Sequence, residues 1–404
     1  MTRPSRRDFG ILFSAYALSS AGDYLALITL TLKVEELTGS GWAVSGLLLA
    51  GLVPAVALAT VAGYLVDRYE TVRVLSVTAL VQAAAIAGLA FADDLRTILA
   101  LSLVLGAGVA VTQPALLVLV PRAIGQDRAT QGNAMMEVAR WVATPLGAVL
   151  GGGLTHALGH GPTLFADAAT FGVVAVAVLA MRTRRPGTGR HQAEPSGELR
   201  KGVAFIGKDR LLRLSILLLG GMILFAGIDN VAEVFFAKDV LEAGDVGYGA
   251  LVGAWTLGIA VGALASGRLG VGRLAPALFL ASVIGGAAVA LAAGYATLPV
   301  ALAMFLVGGM ANGVQLVSMR SLIHHRVPES LRGRVFAAYY GVVNASQITA
   351  LGLGAILLEA AGARGSLVVA GTGAAAVGVL GLARHRALPA RDRGGEPTPR
   401  TPPA

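Results

Sequence analysis

The sequence predicts an all-α membrane protein in which twelve transmembrane helices form two pseudo-symmetric six-helix halves. The composition supports this prediction, because 55% of the 404 residues are hydrophobic and only 14% are charged. Soluble domains average about 25% charged residues. Long apolar runs also recur from one end of the chain to the other, and runs of such length suit helices that satisfy their own backbone hydrogen bonds in a bilayer.

Each apolar run is long enough to cross a hydrocarbon core of about 30 Å at about 1.5 Å of rise per residue. The runs are 9–34, 42–66, 72–92, 97–121, 132–157, 162–181, 212–237, 246–268, 274–294, 298–320, 335–359 and 364–384. The predicted organisation is a cytoplasmic tail (1–8), an N-terminal half (9–181), a linker (182–211), a C-terminal half (212–384) and a disordered cytoplasmic tail (385–404).

The linker is the long polar interruption between the two sets of six runs. It begins with the basic stretch 182–190, which favours a flexible segment. Further on, Leu199, Val203, Phe205 and Ile206 fall near one helical face, with bases elsewhere. This pattern is typical of an amphipathic helix that lies on the inner membrane surface.

Basic residues are unequally divided between the predicted loops. With the N-terminus inside, the outer loops hold only Lys33, Arg96, Lys238 and Arg364, and the other loop and tail bases lie inside. The positive-inside rule therefore places both termini in the cytoplasm. The expected location is the inner (plasma) membrane. The same rule accounts for the formal net charge of +9, so no nucleic-acid partner is predicted.

The sequence offers no catalytic or metal-binding pattern. It contains no cysteine, which excludes disulfides, thiol catalysis and thiolate metal sites. Metal-ligand spacings, catalytic triads and phosphate-cradling loops are also missing from it. We therefore predict neither an enzyme nor a cofactor or metal site.

An internal repeat supports the two halves. Val120-Pro121 and Val327-Pro328 each end a predicted helix at the inner face. Downstream of them lie the similar stretches 146–150 and 353–357, separated by the same number of residues.

A charged turn joins the second and third predicted helices. It contains Gly63, Asp67, Arg68 and Arg73 and resembles the loop 2–3 signature of the major facilitator superfamily, so we refer to these four residues as the gating motif. Glu70 stands where many members have glycine. The resemblance implies the major facilitator fold, whose two parallel halves rock around a site near the membrane midplane.

Further phrases resemble the branch of this superfamily that contains the enterobactin exporter and macrolide efflux proteins. They are Gly22-Asp23 and the stretch 327–335. The fifth predicted helix also resembles the antiporter motif of these exporters, although Thr144 replaces a glycine. The residues of this helix-5 motif are Arg140, Pro145, Gly147, Gly151 and Gly152. Its glycines allow helices to approach closely and slide.

Ionisable side chains inside spans are costly and therefore mark functional candidates. Proton coupling needs a carboxyl group that gains and loses a proton, and the candidates are Asp23, Glu137, Asp229 and Glu233. Asp23 is the first choice, because no base lies within one helical turn of it. Glu137 can instead be neutralised by Arg140, one turn away, and Asp229 and Glu233 can instead lie at the outer water interface.

Other polar residues are candidates for lining a central cavity: Gln113, Asn230, Asn312, Gln315, Asn344 and Gln347. Asp167 is expected to be structural or interfacial. Arg140 can hold an anionic substrate or serve only as the partner of Glu137. Trp141 and Trp255 offer aromatic surface to an amphipathic substrate, or simply pack.

The resemblance implies a monomeric secondary transporter that exports a small amphipathic compound, such as a drug, antibiotic or siderophore, in exchange for protons. Its partners would be that compound, protons and the lipid bilayer. Two alternatives remain open: an importer or transporter of lipid-like substrates, and a transporter-shaped sensor that moves nothing.

The charge asymmetry makes a prediction about topology. A reporter that is active only in the cytoplasm should be active when it is fused after Ala404, because the inner loops carry most of the bases. A reporter that is active only outside the cell should be silent at the same position. The opposite pattern would contradict the predicted orientation.

Overall fold

The computed structural model describes residues 6–125, 128–183, 195–267, 269–389 and 392, and within them the chain is almost entirely helical. The helices are α1 (Arg6–Thr38), α2 (Gly41–Ala57), α3 (Ala59–Arg68), α4 (Thr71–Phe91), α5 (Leu95–Ile124), α6 (Ala129–Leu158), α7 (His160–Leu179), α8 (Pro195–Lys208), α9 (Arg210–Phe235), α10 (Gly244–Ser266), α11 (Leu274–Tyr295), α12 (Leu298–Arg326) and α13 (Glu329–Ala387). A π-helical turn (Phe236–Val240) extends α9, and a 3₁₀ turn (Val271–Arg273) precedes α11.

Each predicted apolar run corresponds to helical structure. Among the described residues, nine helices are long and apolar enough to cross a membrane, and α2 with α3 makes a tenth if the bent pair is one span. One of the nine, α13, holds two predicted runs. The helix α6 is not among them, since it is rich in glycine and also carries polar and charged residues. The count of twelve spans therefore stays a prediction.

Two breaks differ from the predicted boundaries. The run 42–66 is divided at Leu58, whose φ of −91° and ψ of 1° are not helical, and α2 and α3 meet there at 53°. The runs 335–359 and 364–384 join without a loop at Gly362. Its φ of 67° is a conformation that glycine adopts without the steric cost of a Cβ atom.

The chain divides into two compact units. Unit 1 comprises Met1–Gln192 and Ala237–Gly253, and unit 2 comprises Ala193–Phe236 and Ala254–Ala404. The segment Ala237–Gly253 belongs to the predicted C-terminal half but packs in unit 1. There Lys238 forms an ion pair with Glu35, and Gly249 lies against Gly152 of α6.

Parts of the predicted linker and tails lie outside the described residues, namely 1–5, 184–194, 390–391 and 393–404. The described part of the linker forms α8, which packs on unit 2. Gly202 lies against the backbone of Arg334, and Phe205 and Ile206 pack on a buried apolar cluster that includes Phe279.

Two acids hold the ends of the linker. Asp8 Oδ2 accepts hydrogen bonds from the backbone nitrogens of Arg182 (3.0 Å) and Thr183 (2.6 Å) and from the Thr183 hydroxyl (2.6 Å). At the other end, Asp209 caps the N-terminus of α9 and accepts a hydrogen bond from Nε of Arg326 at 2.8 Å. This ion pair is almost completely buried, so it fixes the entry to unit 2.

In unit 1, α1 and α6 approach so closely that glycine is required. A Cβ atom on Gly147 would overlap the carbonyl oxygen of Ala21, and one on Gly151 would lie about 3.0 Å from the carbonyl oxygen of Leu25. One turn further along α6, the hydroxyl of Thr155 is 3.0 Å from the hydroxyl of Thr29. We call these contacts the α1–α6 seam. Small residues and interhelical hydrogen bonds are the usual basis of helix association in membranes.

The repeat in the sequence corresponds to a repeat in packing. In unit 2, Gly354 of α13 lies against Ile228 of α9, and a Cβ atom on it would be 3.1 Å from the carbonyl oxygen of Ile228. Gly354 and Ile228 are separated from Gly147 and Ala21 by the same number of residues that separates Val120 from Val327. Each unit therefore has an equivalent close contact between equivalent helices.

The α1–α6 seam predicts the effect of a single methyl group. We expect Gly147→Ala to destabilise the protein by about 1–3 kcal/mol, because the added Cβ meets backbone that cannot turn aside. The midpoint of thermal unfolding in detergent should fall. The matched control is Gly153→Ala, whose Cβ would meet nothing within 4 Å. Equal midpoints for the two variants would contradict the packing.

Candidate functional site

Unit 1 contains a polar cavity of about 150 Å³. Helices α1, α4, α5 and α6 contribute to its lining. The lining residues are two phenols, four hydroxyl side chains, two amides, one valine, one carboxyl group and one guanidinium group: Tyr16, Tyr24, Ser19, Ser20, Thr112, Thr144, Gln82, Gln113, Val109, Asp23 and Arg140. Such a lining can hold water, a proton or a polar ligand group.

The polar groups of α1 reach this cavity because they follow the helical period. Tyr16, Ser19, Ser20 and Asp23 stand at positions i, i+3, i+4 and i+7, which share one face of a helix. The residues of α1 in the α1–α6 seam, Ala21, Leu25 and Thr29, lie on a different face of the helix. The seam therefore fixes the rotation of α1 and directs this polar stripe into the cavity.

Asp23 has an exposed side chain in this cavity. None of the ion pairs found among the described residues involves it. No base lies within one turn of Asp23 on α1, as expected. A base from another helix, Arg140 of α6, nevertheless lines the same cavity.

Arg140 is engaged on its own helix. Its Nη2 donates a hydrogen bond to Glu137 Oε2 at 3.0 Å, and its guanidinium carbon lies 4.7 Å from the centre of the Trp141 ring. The ion pair expected between Glu137 and Arg140 is therefore present. This pairing supports the interpretation in which Glu137 is neutralised locally. Among the described residues, it leaves Asp23 as the acid of the cavity without an ion-pair partner.

Unit 2 contains a smaller cavity of about 40 Å³ with a more apolar lining. Its walls include Met222, Ile223 and Trp255, and its polar groups include Asp229, Asn312 and Gln315. The amide of Gln315 donates a hydrogen bond to the hydroxyl of Ser282 at 2.9 Å. Of the predicted lining residues, Gln113 thus lines the unit 1 cavity, and Asn312 and Gln315 line that of unit 2.

The other three predicted lining residues lie elsewhere. Asn230 is exposed and donates a weak hydrogen bond to the carbonyl oxygen of Gly227 at 3.4 Å. Asn344 and Gln347 are half-buried on α13 and lie outside the two cavities. Whether a polar residue lines a cavity depends on which face of its helix points towards that cavity. The sequence alone does not give this orientation for a bundle of many helices.

Asp229 and Glu233 are buried within the protein, at 7% and 9% exposure. Glu233 Oε1 has no hydrogen-bond partner among the described residues. The alternative in which both acids lie at the outer water interface is therefore not what the structure shows. They remain proton-coupling candidates.

The gating motif lies at the end of α3 and the start of α4, around the tight turn that the sequence predicts. Arg68 lies 5.8 Å from the centre of the Tyr64 ring, and Arg73 pairs with Glu70 at 2.8 Å. Asp67 is half-buried in the last turn of α3, and Gly63 has open space where a Cβ would stand. Glu70, the residue that departs from the family signature, thus forms an ion pair with Arg73 of the gating motif.

The helix-5 motif maps onto α6. Gly147 and Gly151 belong to the α1–α6 seam, and Pro145 lies inside the helix. Gly152 faces another direction, where a Cβ would overlap the backbone of Asp245 at the start of α10. The glycines therefore serve two close contacts within unit 1.

Sequence analysis missed several cavity residues. Tyr16, Ser19 and Ser20 share the periodicity of Asp23, so a search for polar stripes on helices would have found them. Gln82 and Thr112 had no such signal. Asp167, for which a structural or interfacial role is expected, has a side chain with 0% exposure that lies against Gly22, and its role stays a prediction.

Comparison with known proteins identifies the family. The sequence model of the Major Facilitator Superfamily matches residues 12–276 and 240–403. The multidrug efflux pump Tap of Mycobacterium tuberculosis is 27% identical over 377 residues, which cover 88% of this chain and 87% of that protein. The enterobactin exporter EntS of Shigella boydii is 27% identical over 390 residues, which cover 92% and 90%.

Solved structures of transporters share the fold. The nucleoside transporter NupG superposes with a TM-score of 0.73 at 13% identity, covering 93% of this chain and 98% of that one. The human organic anion transporter MFSD10 gives 0.66 at 17% identity, covering 94% and 100%. The family match, supported by this fold and by the apolar helices, shows that the chain is a multi-pass membrane protein of the major facilitator superfamily of transporters.

Proposed function

We propose that this protein is a proton-coupled exporter of a small amphipathic compound, with Asp23 as the group that exchanges the proton. The observation that carries the proposal is the position of Asp23, an exposed acid that lines a polar cavity and has no ion-pair partner among the described residues. The similarity to an efflux pump and an exporter over most of the chain supports the direction of transport.

The chemistry of the cavity explains how protons and substrate would be coupled. A carboxylate in a medium of low dielectric constant is stabilised by a proton or by a positively charged ligand. If either occupant excludes the other from Asp23, uptake of a proton favours release of the substrate. Protons that enter from one side of the membrane then drive the compound out at that side, by alternating access.

The lining of the cavities supports an amphipathic substrate. The cavity of unit 1 offers phenols, hydroxyls and amides, whereas that of unit 2 offers Trp255, Met222 and Ile223. Arg140 is already paired with Glu137 and stacked near Trp141, so it serves as a positioning group for polar substituents. The gating motif and the glycines of α6 would govern the movement of the two predicted halves.

Neutralising Asp23 tests the proposal. In proteoliposomes with a pH gradient, the wild type should move the fluorescent amphipathic cation ethidium, or enterobactin, against its concentration gradient. We expect Asp23→Asn to bind the probe but to show no flux above empty liposomes in response to the pH gradient, because asparagine cannot exchange a proton. Exchange without a gradient can persist in this variant.

The matched control is Asp94→Asn, the same chemical change at the N-cap of α5. Hydrogen bonds from the side chain and backbone of Thr97 lower the pKa of Asp94, so this acid stays ionised near neutral pH. Asparagine is an equally good N-cap, and flux should be unchanged. Full pH-driven export by Asp23→Asn would refute the role of Asp23, and uptake instead of efflux of both probes would refute the direction.

A further inference from the structure

Asp167 of α7 is a buried acid with incomplete hydrogen bonding. Its side chain has 0% exposure. The hydroxyl of Thr170 donates to Asp167 Oδ1 at 3.1 Å but also to the backbone oxygen of Asp167 at 2.8 Å, so a single hydrogen serves both acceptors. The second carboxyl oxygen, Oδ2, is buried without a hydrogen-bond partner in the described part of the chain.

Gly22 makes room for this carboxyl group on α1. A Cβ atom on Gly22 would overlap Asp167 Oδ1 and would stand 3.0 Å from the hydroxyl oxygen of Thr170. The next residue along α1 is Asp23. Asp167 therefore lies behind the backbone that carries Asp23, and the two acids are neighbours across the contact between α1 and α7.

In the part of the chain that the structure describes, no charged group on the surrounding helices forms an ion pair with Asp167. Beyond Asp23, the ionisable residues of α1 are the inner-end residues Arg6, Arg7 and Asp8, the tyrosines Tyr16 and Tyr24, and the outer-end residues Lys33, Glu35 and Glu36. The other packed helices and α7 itself carry Arg73, Glu137, Arg140, His156 and His160. None of these forms an ion pair with Asp167 among the described residues. A buried carboxylate without a counter-charge is costly, and so are two ionised carboxylates side by side, so Asp167 is favoured as a neutral, protonated group.

We propose that Asp167 is a second proton-binding residue of unit 1, which receives its proton from Asp23 and returns it to Asp23 past Gly22. In the loading step, the O–H bond of protonated Asp23 breaks and an O–H bond forms on the carboxylate of Asp167. The negative charge moves to Asp23, which is exposed in the polar cavity. The role of this relay in transport rests on the proposed function.

Infrared difference spectroscopy of the purified full-length protein tests the inference without a substrate. At neutral pH and above, carboxyl groups in bulk water are ionised, so the C=O band of protonated acids reports those enclosed by the helices, namely Asp23 in the cavity and the buried Asp167. After a step to higher pH, the wild type should lose intensity from two such groups of unit 1. In Asp167→Asn, the pH step should remove the band of one such group instead of two. Asp229 and Glu233 are present in all variants, so their contributions do not distinguish them.

Two further variants separate proton binding from a structural role. Thr170→Val removes the hydroxyl donor, so it should shift the band of Asp167 without removing it, and it serves if Asp167→Asn does not fold. Asp23→Asn removes the partner in the relay, so the band of Asp167 should change more slowly after the pH step. An unchanged spectrum in Asp167→Asn, or no shift in Thr170→Val, would overturn the assignment.

An unchanged rate in Asp23→Asn would overturn the relay. These spectra also distinguish the inference from the proposed function. If Asp167 gains and loses a proton in a protein that moves neither ethidium nor enterobactin, the proton site stands and the proposed export does not. If pH-driven export occurs while Asp167→Asn leaves the spectrum unchanged, the proposed export stands and the proton site at Asp167 does not.

Discussion

The close contact between α1 and α6 determines where the charged groups of unit 1 lie. Gly147 and Gly151 bring the two backbones together, and the hydroxyls of Thr29 and Thr155 extend the same contact by one turn. In a bilayer, the hydrophobic effect does not press helices against each other, so packing and hydrogen bonds must do so. Because this contact fixes the rotation of α1, Tyr16 and Asp23 lie in the same cavity as Arg140.

The two units share one arrangement of helix packing, but the residues that line their cavities differ. Gly354 repeats in unit 2 the contact that Gly147 makes in unit 1. The cavity positions, by contrast, change character at the same separation along the chain: Tyr16 corresponds to Ile223, Ser19 to Ala226 and Gln82 to Val289. Close backbone approach constrains only a few small residues, so the lining of each cavity is free to differ.

The charge distribution in unit 1 depends on which ionisable side chains form ion pairs or hydrogen bonds. Arg140 is satisfied by Glu137 and by the face of Trp141, so the obvious cation of the cavity is already engaged. Within the part of the chain that the structure describes, the exposed carboxyl group of Asp23 has no ion-pair partner, and one oxygen of the buried Asp167 accepts no hydrogen bond. One acid is therefore in contact with the polar cavity and the other is dry, and Gly22 separates them.

Much of the fold can be predicted from the sequence, because the length of an apolar run and the bias of basic loops are properties of the chain taken in order. The runs, the tight turn at Asp67 and Arg68, and the repeat of Val120-Pro121 belong to this class. The break at Leu58 does not, since the proline of this run, Pro54, lies one turn earlier inside α2. The i,i+3 pair of Glu137 and Arg140 was predictable, because helical spacing alone brings the two side chains together.

The neighbours of each polar side chain across helices depended on tertiary structure. Asp23 has no base within a turn of its own helix, yet α6 brings Arg140 into its cavity and α7 brings Asp167 behind Gly22. Asn230 and Asn312 are the same residue type on predicted spans, but of the two only Asn312 lines the cavity of unit 2 described above. The rotation and crossing of each helix decide such contacts, and they arise from many weak packing interactions that a one-dimensional pattern does not contain.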